Sequence, residues 1–161
     1  MAKTSNPINI ETASNTDSEA TACVCIKYWP NSPHLTINMD GSWIDLYTNE
    51  ETVLKTGQFT IIPLGVAMKL PDGYEANIAP RSSTFKRWGV MQTNGVAVID
   101  PTFCGDDDQW GYPVLATRDV TIPAGTRLCQ FRINKVQPHI AFQEVANLSD
   151  DSRGGFGTSG A

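Results

Sequence analysis

One short segment carries side chains of the kind that bind phosphate. Pro80-Arg81-Ser82-Ser83 places a guanidinium and two hydroxyls between an apolar run and a short helix-like stretch, Ser82–Trp88. An arginine fork, hydroxyl donors and the exposed amides of a helix start all suit a phosphate group. Read alone, the same segment is more often a surface arginine beside a serine that caps a helix. The two interpretations stay open at this point.

A carboxylate follows an apolar run in the middle of the chain. Val96–Ile99 leads directly into Asp100, and Phe103 follows three residues later. A carboxylate at the end of a buried strand can orient a water molecule as a general base. Asn94-Gly95, just before the run, predicts the start of a hairpin whose backbone could face the edge of a nucleobase. The alternative is a strand followed by an ordinary Asp-Pro turn.

Two polar residues interrupt apolar strand patterns. Asp45 lies within Trp43-Ile44-Asp45-Leu46-Tyr47, and Gln130 lies within Arg127–Ile133. A polar side chain in such a strand needs a hydrogen-bond partner, which is either structural or part of a site. Strand alternation places alternate residues of the second segment on opposite faces. One face would carry Arg127, Cys129, Phe131 and Ile133, and the other Leu128, Gln130 and Arg132.

The chain ends in a glycine-rich segment, with four glycines among residues 154–160. A segment of this composition is usually flexible, because glycine loses the most backbone freedom on ordering. Arg153 and the backbone amides around Gly155 could nevertheless bind phosphate, and Phe156 could stack on a base. We predict a flexible C-terminal arm over residues 149–161.

The elements that must position these residues are short strands. Runs rich in Val, Ile, Thr, Tyr and Phe recur at about ten-residue spacing, separated by turn signals such as Asp40-Gly41 and Pro71-Asp72-Gly73. This pattern predicts an all-β sandwich or barrel over residues 22–148, after a disordered leader over residues 1–21. The predicted strands are Cys23–Tyr28, Leu35–Asn38, Trp43–Tyr47, Glu51–Leu54, Gln58–Pro63, Val66–Lys69, Tyr74–Ala79, Val96–Ile99, Tyr112–Ala116, Val120–Ile122, Arg127–Val136 and Ala141–Val145.

Composition narrows the class of protein. The chain has 161 residues, 40% of them hydrophobic and 18% charged, and a net charge of −5. A chain this acidic is a poor candidate for direct nucleic-acid binding, which needs a basic face. Asp106-Asp107-Asp108 lacks the spacing of a calcium loop, which favours a solvated loop over a metal site. No apolar stretch is long enough to cross a membrane and no secretory signal is visible, so we expect a cytoplasmic protein.

These signals occur in a specific order. Asp-Leu-Tyr, P-R-S-S, N-G-V-A-V-I-D-P-T-F-C-G, R-L-C-Q-F and R-G-G-F-G-T-S-G together resemble the five ordered motifs of the trimeric dUTPase family, from about Gly41 to Gly160. The resemblance implies a jelly-roll-like β fold and a homotrimer with active sites at subunit interfaces. It also implies hydrolysis of dUTP to dUMP and pyrophosphate with Mg²⁺.

The resemblance implies a role for each singled-out residue. Asp100 would be the base that orients water toward the α-phosphorus, and Phe103 would stack under the deoxyribose. Asn94 and Gly95 would read uracil, and Asp45 would support the metal or the catalytic network through water. The phosphates would be bound by Arg81, Ser82, Ser83 and Gln130, and by Arg153, Gly155 and Thr158 of the arm, while Phe156 would close over the base.

The chain departs from the family's usual motifs at three places. Phe103 stands where a tyrosine is usual, Trp43 where a small residue is usual, and Asp151 where the last motif has arginine. Two alternatives remain: a dCTP deaminase-like enzyme, and a non-catalytic regulatory protein of the same fold. Deamination needs a catalytic glutamate on the strand after the Asp100 motif, and this chain has no glutamate between Glu75 and Glu144.

Overall fold

The computed structural model describes residues 22–37 and 41–148. In these residues the chain forms eleven β-strands and one short helix. The elements are β1 (Cys25–Tyr28), β2 (Ile44–Tyr47), β3 (Thr52–Leu54), β4 (Phe59–Pro63), β5 (Val66–Lys69), β6 (Tyr74–Pro80), α1 (Thr84–Trp88), β7 (Val90–Gln92), β8 (Ala97–Ile99), β9 (Gly111–Ala116), β10 (Val120–Ile122) and β11 (Arg127–Lys135). The predicted all-β class is confirmed. The predicted leader over residues 1–21 and the arm over residues 149–161 lie outside the described residues.

The strands form four antiparallel sheets. A four-stranded sheet has the order β2-β11-β6-β8, and a three-stranded sheet has the order β4-β9-β7. Two-stranded pairs β1-β5 and β10-β3 complete the fold. Because most neighbours in the sheets are distant in sequence, the strand order is set by long-range packing rather than by local turns.

The inner faces of these sheets share one hydrophobic core. Trp110 packs edge-on against Phe131 of β11, with ring centroids 5.2 Å apart and ring planes at 89°. Burial of each large side chain stabilises the fold by roughly 1.5–3 kcal/mol. The largest fully buried side chains are Trp110, Tyr112, Phe131, Leu46, Leu54, Ile62, Leu64, Ile78, Ile122, Leu128, Val66 and Val90.

A β-bulge in β11 corrects the predicted alternation. The register against β2 shifts between Arg127 and Cys129, so Leu128 and Cys129 are both buried although they are adjacent. Arg127 is therefore exposed rather than on the face of Cys129. Beyond the bulge, the predicted alternation of β11 is confirmed, with Phe131 buried and Arg132 exposed. A bulge re-aims side chains without ending the strand.

Three further predictions about elements were wrong, one strand was missed, and the helix begins two residues later than predicted. Residues 35–37 form no strand, and residues 141–145 pair with no strand in the described chain. Asn94-Gly95 does not turn a hairpin, because β7 before it pairs with β9 while β8 after it pairs with β6. The strand β7 was missed, since Val90–Gln92 is too short to produce a pattern. The helix ends at Trp88 as predicted and starts at Thr84 rather than Ser82. Ser83 takes the N-cap position, although its side chain makes no capping hydrogen bond.

The helix α1 has five residues and ends at Trp88; Gly89 caps its C-terminus with a left-handed backbone (φ 62°) that favours glycine. Among the described residues, no helix is long and apolar enough to span a membrane.

Candidate active site

The segment Arg81-Ser82-Ser83 is anchored by the residue that follows it. Thr84 is only 1% exposed. Its Oγ1 accepts a hydrogen bond from the Arg81 amide at 3.0 Å and donates one to the Leu128 carbonyl at 2.6 Å. These two bonds attach the turn after β6 to the bulge of β11. Ser82 is exposed and Ser83 is half-buried, so both hydroxyls are free to face a ligand.

Three charged side chains meet beside this turn. Arg81 Nε lies 2.8 Å from Asp45 Oδ1, and Arg127 Nη1 lies 3.4 Å from Asp45 Oδ2. Arg81 Nη1 also donates to the Arg127 carbonyl at 3.4 Å. The Arg81 and Asp45 side chains are each 23% exposed, so this pair is screened less than a surface pair. Asp45 thus holds both guanidiniums at one point of the surface.

Gln130 is placed beside this cluster by strand register. It pairs with Asp45 of β2 on one side and with Ala79 of β6 on the other. Its Nε2 donates to the Pro80 carbonyl at 3.2 Å, so the polar residue in this apolar strand has a structural partner. The predicted phosphate-binding residues Arg81, Ser82, Ser83 and Gln130 are therefore brought together with Asp45.

Two clefts flank the charged cluster. One, of about 570 Å³, is lined by Asp45 and Arg127 together with Thr36, Ile37, Tyr47 and Gly125. The other, of about 420 Å³, is lined by Pro80, Arg81, Phe85, Val90, Met91, Gln92, Asn94 and Gly95. The Asp45–Arg81 ion pair joins residues from the two clefts. A more polar cleft and a more apolar one on either side of this ion pair suit a ligand with an anionic part and a flat, less polar part.

Asp100 is held in a tight turn at the end of β8. Its Oδ1 accepts hydrogen bonds from the Thr102 hydroxyl at 2.6 Å and the Thr102 amide at 2.8 Å. These bonds favour the charged form, so they lower the pKa of the Asp100 carboxyl below its ordinary value. The described residues give Oδ2 no hydrogen-bond partner. Asp100 is therefore an exposed, ionised carboxylate with one oxygen open to water.

Phe103 belongs to the same turn. Its amide donates to the Asp100 carbonyl at 2.9 Å, and its side chain is 40% exposed. Asn94 and Gly95 lie in the cleft of Arg81, where Gln92 Nε2 donates to the Asn94 carbonyl at 2.8 Å. The predicted aromatic and base-reading residues are thus on different parts of the surface.

Within one chain, the structure does not bring Asp100 to the Arg81 cluster. Arg81 follows the last residue of β6, whereas Asp100 follows Ile99, which pairs with Ala76 near the start of β6. At about 3.3 Å per strand residue, the five steps from Ala76 to Arg81 span roughly 17 Å. The candidate site residues therefore form two groups at opposite ends of one strand.

The predicted residues of the glycine-rich arm, Arg153, Gly155, Phe156 and Thr158, lie outside the described residues. Three residues that position the site were given no role from the sequence: Thr84, Thr102 and Arg127. Thr102 could have been found, because a hydroxyl two residues after an aspartate is typical of an Asx turn. Thr84 and Arg127 gave no signal, since their contacts join segments more than 40 residues apart.

The described residues do not form a metal cage of their own. Among them no group of three or more His, Cys, Asp or Glu side chains could hold a metal ion. Asp45 is the carboxylate nearest the phosphate-binding residues, and its two oxygens face Arg81 and Arg127. A divalent cation here would need oxygen ligands from a bound ligand or water.

The chain matches a family model described as dUTPase over residues 41–160. It is 50% identical over 120 residues to the SPbeta prophage-derived deoxyuridine 5'-triphosphate nucleotidohydrolase YosS of Bacillus subtilis, covering 74% of this chain and 84% of that protein. It is 35% identical over 135 residues to the deoxyuridine 5'-triphosphate nucleotidohydrolase of Finegoldia magna, covering 81% and 92%.

Solved structures support the fold. The dUTPase of Staphylococcus bacteriophage 80alpha, as a single-substitution variant with dUpNHpp, aligns with a TM-score of 0.73 at 19% identity, covering 88% of this chain and all of that one. A variant of the dUTPase of the S. aureus phage phi11, described with a structural Mg(II) ion, aligns with a TM-score of 0.67 at 16% identity, covering 80% and 99%. By the family match and by relatives of this identity and coverage, the chain belongs to the dUTPase family.

Proposed function

We infer that this protein hydrolyses dUTP to dUMP and pyrophosphate, which limits uracil incorporation into DNA and supplies dUMP for thymidylate synthesis. The observation that carries the proposal is Asp100, an ionised carboxylate with one oxygen bonded to Thr102 and the other open, in a chain of this family. Such a group can orient a water molecule at the α-phosphorus and accept its proton. The open oxygen, Oδ2, is the acceptor in this mechanism.

The phosphates are bound by the cluster at the other end of β6. Arg81 supplies a guanidinium fork, Ser82 and Ser83 supply hydroxyls, and Gln130 supplies an amide. In the free chain Arg81 is held by Asp45 at 2.8 Å, so the phosphates compete with a carboxylate for the same cation. The pair keeps Arg81 oriented before the substrate arrives, which lowers the entropy cost of binding.

The sugar is selected beside Asp100, and the base is selected in the cleft lined by Asn94 and Gly95. Phe103 presents an exposed ring that can stack against a deoxyribose and leave no room for a 2′-hydroxyl. Asn94 and Gly95 offer an exposed backbone and an amide to a uracil edge. The arm residues Arg153, Gly155, Phe156 and Thr158 close over the nucleotide, with Phe156 on the base and the others at the phosphates.

Mg²⁺ is the proposed cofactor, and it enters with the triphosphate. When bound, it would neutralise charge on the phosphates, which an acidic protein with few cations at the site cannot do alone. Once a phosphate oxygen has replaced Asp45 as the partner of Arg81, the Asp45 carboxylate is placed to assist the cation through a water molecule. In this proposal no protein side chain binds the metal directly.

We propose that the active unit is a homotrimer. The roughly 17 Å between the two groups of site residues supports this, because a second chain could supply one group to the other. An exposed apolar row on the three-stranded sheet also supports it. Phe59, Leu115 and Met91 are aligned across β4, β9 and β7 and are 57%, 38% and 51% exposed. Such a row is typical of a protein interface.

The segment after β11 supports assembly in the same way. Residues 137–148 are exposed throughout and include Ile140, Phe142, Val145 and Leu148. Phe142 is 91% exposed, which costs free energy unless a partner covers it. A segment that pairs with no strand among the described residues can pair with another copy of the chain. We expect the trimer to act in the cytoplasm, or in the host-cell cytoplasm if the gene belongs to a phage.

The test is pyrophosphate release from dUTP, dCTP, dTTP and UTP, with and without Mg²⁺. We expect turnover of dUTP alone, and Asp100→Asn should reduce it by about 10²–10⁴-fold while leaving the fold intact. Asp72→Asn is the matched control, because Asp72 is an exposed aspartate in a turn of the same fold. Near-normal turnover by Asp100→Asn would remove Asp100 from the mechanism. Ammonia release from dCTP would favour the deaminase, and nucleotide binding without turnover would favour a regulatory protein.

A further inference from the structure

A lysine on the first strand contacts the loop that follows the turn of Asp100 and Phe103. Lys27 of β1 donates a hydrogen bond from Nζ to the Asp106 carbonyl at 2.5 Å, and the same Nζ lies 3.8 Å from Asp106 Oδ1. The ammonium also lies 5.1 Å from the centroid of the Trp29 ring. Three acceptors of different kinds thus hold one cation, although the Lys27 side chain is 48% exposed.

The chain just after β1, the strand that carries Lys27, is held firmly in place. The Trp29 amide donates to the Gly65 carbonyl at 2.9 Å, and its carbonyl accepts from the Ser32 amide at 3.2 Å. Gly65 has φ 67°, and a Cβ added there would lie 2.0 Å from Ser32 Oγ, so only glycine fits between these segments. Lys27 itself pairs in register with Ala67 of β5, so its backbone is fixed by the sheet.

The contacted loop, residues 105–108, is named here the acidic loop. It is closed by its own bonds: the Gly105 amide donates to Asp108 Oδ2 at 2.6 Å, and the Asp108 amide donates to the Gly105 carbonyl at 3.2 Å. It begins two residues after Phe103. It is followed by Trp110, whose amide donates to the Val66 carbonyl at 2.8 Å.

The segment from Asp100 to Trp110 is therefore anchored at both ends, by β8 before it and by β5 after it. Between these points, Lys27 attaches the acidic loop to β1 through the Asp106 carbonyl. Without that bond, the three consecutive aspartates would repel one another with no cation beside Asp106, and the acidic loop would have no attachment to β1. Any such motion would be transmitted to Phe103 and Asp100, which lie three to six residues from Asp106.

We propose that Lys27 is a positioning residue for this reaction: by holding the acidic loop against β1, it fixes the turn that carries Asp100 and Phe103. The proposal rests on the proposed function, because it takes Asp100 as the base. A lone surface ion pair would contribute little. The bond to a backbone carbonyl and the contact with the Trp29 ring make this lysine more than an ion pair.

The experiment compares wild type, Lys27→Met, Lys27→Arg and Lys69→Met in the full-length protein. Methionine keeps most of the length of the lysine stem and removes the ammonium. Arginine can still donate to the carbonyl and lie over the indole. Lys69 is the matched control, because it is an exposed lysine on the same two-stranded sheet. Two quantities are measured: hydrogen exchange of peptides spanning residues 100–110 at sub-second labelling times, and kcat and KM for dUTP.

We expect Lys27→Met to speed exchange in residues 100–110 by about threefold to tenfold. We expect kcat to fall by a similar factor with the melting temperature unchanged. Lys27→Arg should restore both quantities, and Lys69→Met should change neither. Unchanged exchange in Lys27→Met, or faster exchange with unaltered kcat, would overturn the role of Lys27 while leaving the proposed function standing. A wild-type protein that does not hydrolyse dUTP would instead refute the proposed function and, with it, the catalytic role of the lysine.

Discussion

The hydroxyl of Thr84 attaches the phosphate-binding turn, Arg81-Ser82-Ser83, to β11 through two hydrogen bonds. Thr84→Val removes it while keeping the β-branched shape, and it deletes two bonds at once: from the Arg81 amide at 3.0 Å and to the Leu128 carbonyl at 2.6 Å. Thr84 is 1% exposed and Leu128 is fully buried, so water cannot replace the bond to the Leu128 carbonyl. The substitution therefore acts on both stability and function.

The expected loss follows from the two groups left unpaired. Each buried donor or acceptor without a partner costs about 1–3 kcal/mol, and the Arg81 amide is only part-buried, so we expect a total of about 2–4 kcal/mol. Thr84→Ser keeps the hydroxyl and loses one methyl, which costs about 1 kcal/mol. Comparison of Thr84→Val with wild type measures the hydroxyl bonds, and comparison of Thr84→Ser with wild type measures the packing of the methyl group.

The loss of activity should be separable from the loss of stability. A turn no longer attached to β11 lets Arg81, Ser82 and Ser83 shift, and a displacement of about 1 Å can cost up to 10²-fold in rate. We expect Thr84→Val to lower kcat/KM for dUTP at least about tenfold at a temperature where it is still folded. Thr84→Ser should stay within about threefold of wild type.

The assays are urea unfolding at one fixed protein concentration, because the stability of an oligomer depends on concentration, and pyrophosphate release from dUTP. If valine and serine variants unfold at the same urea concentration and turn over alike, the two hydrogen bonds do not anchor the turn. The interpretation of the Arg81 segment as a preformed phosphate site would then be wrong.

Other outcomes can be measured on the same protein. Phe103→Ala should narrow the preference for dUTP over UTP, and an unchanged ratio of the two kcat/KM values would place sugar selection elsewhere. Thr102→Ala should raise the pKa of Asp100 toward its ordinary value, so the acidic limb of kcat/KM should move to higher pH than in wild type. A limb at the same pH would mean that another group controls it. Deletion of residues 152–161 should leave thermal stability unchanged and lower kcat/KM steeply, and Phe156→Ala should reproduce part of that loss, as stacking on a base contributes ~1–3 kcal/mol. Full activity after the deletion would exclude a role for the arm.

Local patterns in the sequence predicted the class of fold and the bounds of most elements. Alternation and turn signals act over a few residues, so β5 and β10 were predicted residue for residue, and β2, β3, β4, β6 and β9 to within one or two. The motif order predicted the family. The same local reasoning failed for residues 141–145, because an apolar run becomes a strand only where another strand lies beside it.

The tertiary structure decided which residues meet. The sequence alone does not indicate that Asp45 holds Arg81 and Arg127, because these residues come from three segments of the chain. The bulge in β11 lies in its pairing with β2, and it leaves Arg127 exposed, against simple alternation. Asp100 and Arg81 lie at opposite ends of β6 because β8 pairs antiparallel with that strand. Side-chain types and turns are local properties and can be predicted from the sequence, whereas strand partners and register depend on loop closure and on one shared core.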